Sequence, residues 1–167
     1  LREDKHWSYG SRSMVIDAKG QRPFLVFAMV QSDKTKESYD EIIKEISGYV
    51  SNNPATEDEL KKIVLNNTLG LPGGWETNGA VGASLAEMVR FNLPEDYFDT
   101  YASKLQNLSI EGIRSAAKEN LDTKNLTWIV VGDKALYKDQ LEAVGIEVHE
   151  VDVDGNIIDQ EIQAPKS

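Results

Sequence analysis

A chain of 167 residues fits one domain, and its 40% apolar content is ordinary for a globular protein. With 28 acidic against 18 basic side chains and a net charge of -10, it lacks the clustered Lys and Arg that a nucleic-acid binder needs. The absence of cysteine excludes a disulfide framework and thiolate chemistry, so a metal could be held only by His and carboxylates.

The chain opens on the charged segment Leu1-Arg2-Glu3-Asp4-Lys5, which reads as the interior of a longer protein. Tyr9 to Asp17 alternates as a strand, with Tyr9, Ser11, Ser13 and Val15 on one face. Ala18 to Pro23 carries turn chemistry. Phe24 to Gln31 is a near-continuous apolar run, suited to a buried strand that closes an antiparallel hairpin. It is also the longest such run, far short of the roughly 20 residues of a membrane helix.

A helix capped by Ser32 or Asp33 follows, with Tyr39, Ile42, Ile43, Ile46, Tyr49 and Val50 on one face. Ser51-Asn52-Asn53-Pro54 ends it. Thr56 and Glu59 form a capping box for the next helix, lined by Leu60, Ile63 and Val64. Gly70-Leu71-Pro72-Gly73-Gly74 cannot hold an ordinary helix and reads as a kink or hinge. Trp75 beside it reads as core or cleft wall, with core preferred. The following helix places Val81, Leu85, Met88 and Val89 on one face among many small residues.

Pro94, Glu95 and Asp96 suit the first turn of a further helix with Tyr97, Phe98, Tyr101, Leu105 and Leu108 as its stripe. Ser109 caps a short helix. Leu126 to Val131 reads as a buried strand. A helix through Leu136, Leu141 and Val144 stops at Gly145. Glu147 to Val151 alternates as a strand and Asp154-Gly155-Asn156 turns the chain.

Strands at both ends with helices between predict an α+β, two-layer fold: an antiparallel or mixed sheet with helices on one face. The strands are few for so many helices, and further N-terminal strands are expected to complete the sheet. Residues 1–159 are read as one domain truncated at its N-terminus, and 160–167 as a frayed tail.

Little chemistry is legible from residue types alone. His6 and His149 are far apart and belong to no metal motif, so no metal site is expected within this chain. Asp152-Val153-Asp154-Gly155-Asn156 has its glycine in the wrong place for a calcium loop. The glycines at 70–74 lack the Lys-Ser/Thr of a P-loop, and no G-x-S-x-G is present. Taken alone, Arg2 and Tyr9 read as a salt-bridged arginine and a half-buried aromatic.

Together they read differently. Leu1-Arg2-Glu3-Asp4-Lys5-His6-Trp7-Ser8-Tyr9-Gly10, extended by Ser13, resembles the L-R-E-x-K-x-x-x-Y-G-x-x-S signature of the C-terminal, non-zinc domain of pitrilysin/insulinase-type zinc peptidases, which include the processing peptidases. Thr56–Leu60, Leu71-Pro72-Gly73-Gly74-Trp75-Glu76-Thr77, Leu108–Ile113 and Asn125–Asp133 resemble further segments of that domain, in the same order. The match runs from Leu1 to about Gly145.

The resemblance implies a division of labour. A separate domain bearing H-x-x-E-H would hold zinc and activate water, on the same polypeptide or as a second subunit. This chain would clamp an extended peptide against it, Tyr9 supplying a catalytic hydrogen bond and Arg2 holding substrate. The isolated chain is expected to be inactive, with no cofactor of its own. A non-catalytic binding or structural module of the same fold is the alternative. A periplasmic or envelope location is expected from bacterial members, and an unpaired sheet edge invites a homodimer.

Overall fold

The computed structural model describes Leu1 and residues 5–158. Arg2 and the expected frayed tail, 160–167, lie outside the described residues. Two strands, β1 (Ser8–Val15) and β2 (Phe24–Val30), form an antiparallel hairpin. Six helices follow among the described residues: α1 (Thr35–Tyr49), α2 (Glu57–Gly70), α3 (Asn78–Phe91), α4 (Tyr97–Gln106), α5 (Ile110–Asn120) and α6 (Lys134–Glu142).

The helix boundaries follow local chemistry. Thr56 accepts from the Glu59 amide while the Glu59 carboxylate accepts from the Thr56 amide at 2.8 Å, the reciprocal capping box. Thr77 and Ser109 cap α3 and α5 by accepting from the amides of Ala80 and Gly112, both at 3.1 Å. Asn92 ends α3 at φ +53, the left-handed cap that a short amide side chain tolerates. Gly70 ends α2, and Pro72–Trp75 forms a 3-10 turn before α3.

α1 has no side-chain cap of its own. A tertiary contact replaces it. Gln140, on α6, accepts from the Lys36 amide at 3.2 Å and donates to the Ser32 carbonyl at 2.8 Å. One amide side chain thereby satisfies an orphan donor of the first turn and locks α6 onto α1. Leu141 beside it is buried. Elsewhere, the Arg114 guanidinium donates from Nε to the Ala55 carbonyl at 2.9 Å, tying α5 to the loop between α1 and α2. Ile46, Ala55, Ile110 and Leu141 are the buried apolar side chains among the described residues.

Two expected strands are not formed. Leu126–Val131 keeps the expected alternation. Leu126, Trp128 and Val130 are partly covered, and Trp128 packs on Tyr39 of α1 with ring centroids 4.3 Å apart. The opposite face is open: Ile129 is 84% and Val131 92% exposed. The segment is extended but has no strand to pair with among the described residues, and a ladder needs a partner. Glu147–Val151 is reduced to one antiparallel bridge, Val151 to Ile157, closed around the turn at Gly155 (φ +85).

The fold is therefore mixed, with helices dominating a small two-stranded antiparallel sheet. Phe24–Val30 was expected to be buried, yet Phe27 and Met29 are half-exposed or more. On α3 only Met88 of the expected stripe is partly covered, while Leu85 and Val89 face solvent. These faces are apolar by sequence, but the described chain brings no surface against them.

Candidate functional site

Tyr9 stands at the head of β1. Ser8 pairs with Val30, whereas Ser11 pairs with Ala28, so β1 carries one extra residue between those pairs. The Ser8 hydroxyl accepts from the Gly10 amide at 3.1 Å and donates to the Gly10 carbonyl at 2.8 Å, closing the bulge on itself. A bulge bends the strand and redirects side chains out of simple alternation. Tyr9 consequently does not continue the face of Ser11 and Ser13, and the residue is 90% exposed rather than half-buried. A phenol so placed has its hydroxyl available to an incoming group.

The segment before it is anchored. The Trp7 amide donates to the Leu1 carbonyl at 3.1 Å, and the Trp7 carbonyl accepts from the Gln31 amide at 2.9 Å. The ammonium groups of Lys5 and Lys34 lie 5.5 and 5.9 Å from the Trp7 ring centroid, within cation–π range. His6 takes φ +57. Tyr9 thus projects from a strand whose base is held on both sides. Sequence reasoning missed the bulge and Ser8. The available signal was Gly10, an isolated glycine inside a strand pattern.

Two open clefts flank the helices. One, of about 600 Å³, lies between the hairpin and α1; Ser11, Arg12, Phe24, Glu41, Ile46 and Leu121 are among its walls, and Tyr9 is not. The other, of about 470 Å³, lies where the glycine break brings α2, α3 and α4 together. Trp75, expected in the core, is a wall of this second cleft and is 36% exposed. The Gly70–Gly74 break is what turns it there.

Among the described residues no group of three or more His, Asp and Glu could hold a metal ion. His149 instead lies 3.0 Å from the Glu147 carboxylate. Among the described residues, no helix is long and apolar enough to cross a membrane.

No protein-family model matches the chain. No curated protein matches it. Among solved structures, the chain is similar to the crystal structure of a peptidase M16 inactive domain from Pseudomonas fluorescens, with a TM-score of 0.64 at 20% identity. The likeness covers 72% of this chain and 28% of that one, so this chain spans less than a third of the other's length. At that identity the likeness is one of fold.

Proposed function

We propose that this chain is the substrate-clamping, transition-state-stabilising half of a zinc metalloendopeptidase, completed by a separate domain that carries H-x-x-E-H. The observation that carries the reading is Tyr9: an almost fully exposed phenol on a bulged strand head. The fold likeness to a domain described as peptidase M16 and inactive supports it. So does the Leu1–Gly10 signature, which places an arginine and a tyrosine at the family's spacing.

The companion domain would supply the metal-activated water. This chain's part is electrostatic. Amide hydrolysis passes through a tetrahedral oxyanion, and a phenol O–H donated to it is worth about 3 kcal/mol in comparable oxyanion sites. Tyr9 takes that role. Arg2, with five fixed donors and a permanent charge, holds a substrate carbonyl or carboxylate and sets register. The open faces at Ile129, Val131 and Met29 fit further strands of a longer domain, which would restore the two-layer sheet. A location in the bacterial envelope belongs to the same proposal.

The test joins this chain to an H-x-x-E-H domain encoded beside it and follows cleavage of internally quenched peptides. The chain alone is expected to show no turnover. In the reconstituted pair, Tyr9→Phe lowers kcat by about 100-fold with pairing on gel filtration unchanged. Turnover unaffected by Tyr9→Phe rules out the role. A pair that binds peptide without cleaving it is the signature of a non-catalytic module, a second reading favoured by the description of the solved neighbour as inactive.

A further inference from the structure

The cleft between α2, α3 and α4 has a composition that the clamping role does not use. Its walls include four aromatic rings, Trp75, Tyr97, Phe98 and Tyr101, and one charged side chain, Glu87. Trp75 and Tyr97 each meet Phe98 edge to face, with centroids 5.1 Å apart and planes at 80°. Tyr101 tilts against Tyr97 at 5.8 Å. An edge-to-face pair covers a face of only one of its two rings, so these contacts do not use up every electron-rich face of the cluster.

The Trp75 indole is fixed at its edge, donating from Nε1 to the Ser84 hydroxyl at 3.1 Å. Burial, then the neighbouring Tyr101 and the negative charges of Glu87 and Asp17, push the Tyr97 phenol up and outweigh the opposing pull of the Arg22 guanidinium. No Lys or Arg is among the residues that line the cleft. The whole chain is acidic, at -10.

We infer that this cleft binds an organic cation, an alkylammonium group of the kind carried by a lysine side chain, on the faces of Trp75, Phe98 and Tyr97 with Glu87 as counter-charge. Aromatic walls attract a cation through the ring quadrupole, and do so more strongly once it is desolvated. A volume of about 470 Å³ admits a four-carbon ammonium chain with room to spare. Ser84 and the tyrosine hydroxyls offer acceptors for its N–H groups. Tyr9 is not among the residues that line this site.

The chain is titrated with butylammonium chloride and, at matched ionic strength, with 1-butanol, following the Trp75 indole N–H resonance. Butylammonium is expected to move it saturably, with at least five-fold tighter binding than the neutral alcohol. Glu87→Gln weakens butylammonium about five-fold and leaves butanol unchanged. Phe98→Leu weakens it about three-fold. A short alanine peptide carrying one lysine, bound more tightly than butylammonium, makes the cation's source a peptide; equal affinity makes it a free amine, and either supports the site. Equal binding of butylammonium and butanol to the unaltered chain overturns it, as does butylammonium affinity that neither variant changes.

Discussion

Replacing Gln140 by alanine separates tertiary from local stabilisation of α1. The helix has no side-chain cap, and its Lys36 amide is satisfied from α6, 104 residues away. Gln140→Ala removes two long-range hydrogen bonds: the one at 3.2 Å from the Lys36 amide and the one at 2.8 Å to the Ser32 carbonyl. The third, to the Leu136 carbonyl, lies within α6. A typical hydrogen bond contributes about 1 kcal/mol net. Both long-range bonds are part-buried, so water recovers some of the loss, and about 1.5–2 kcal/mol is expected. For a chain of this length that lowers the thermal midpoint by about 5 °C. Urea unfolding monitored by far-UV circular dichroism measures the loss. Hydrogen exchange at the Lys36 amide localises it, with protection falling at least ten-fold. A stability change under 0.5 kcal/mol with Lys36 protection intact would show that α6 does not cap α1.

Other expectations are local. Thr56→Ala removes one half of the capping box and should cost about 1 kcal/mol, or some 2–4 °C in midpoint; no shift would mean that the box is not formed in solution. Gly145 sits at φ +78 with nothing within 4 Å of a would-be Cβ, so Gly145→Ala costs backbone strain alone, about 1 kcal/mol, read from the urea midpoint. Tyr9→Phe leaves stability within about 0.5 kcal/mol, because an exposed hydroxyl contributes little to folding; a larger loss would show that the hydroxyl is engaged. The Asn156 side-chain amide, then its backbone N–H and those of Asp154 and Gly155, hold the Asp152 carboxyl below the usual aspartate range. A depressed value adds stability above the unfolded pKa and loses it as pH falls through the folded one. A carboxyl titration by NMR should give a midpoint below the ordinary value, moving upward in Asn156→Ala; an ordinary midpoint contradicts the turn geometry.

The proposed site was only partly legible. Tyr9 at a strand head could be read from the chain, but its exposure could not, because the bulge at Ser8–Gly10 depends on how β1 registers against β2. Of the aromatic cleft, only Trp75 as a wall beside the glycine break was within reach of the chain, as the less favoured reading. Tyr97, Phe98 and Tyr101 read as the inward stripe of one helix and Trp75 as core. The cleft exists because the break after Gly70 delivers Trp75 against Phe98.

Local chemistry reached the structure wherever partners lie within a few residues. The Thr56–Glu59 box, the Ser109 cap, the Gly70–Gly74 break and the hairpin from β1 to β2 all follow from short-range geometry and side-chain type. Pairing and burial depend on what arrives from far along the chain. The alternation of Leu126–Val131 made it extended, yet only packing on Tyr39 decided which face is covered, and it lies outside any sheet because no strand among the described residues pairs with it. Periodicity reports which face of an element is apolar; only the assembled chain supplies, or fails to supply, the surface that buries it.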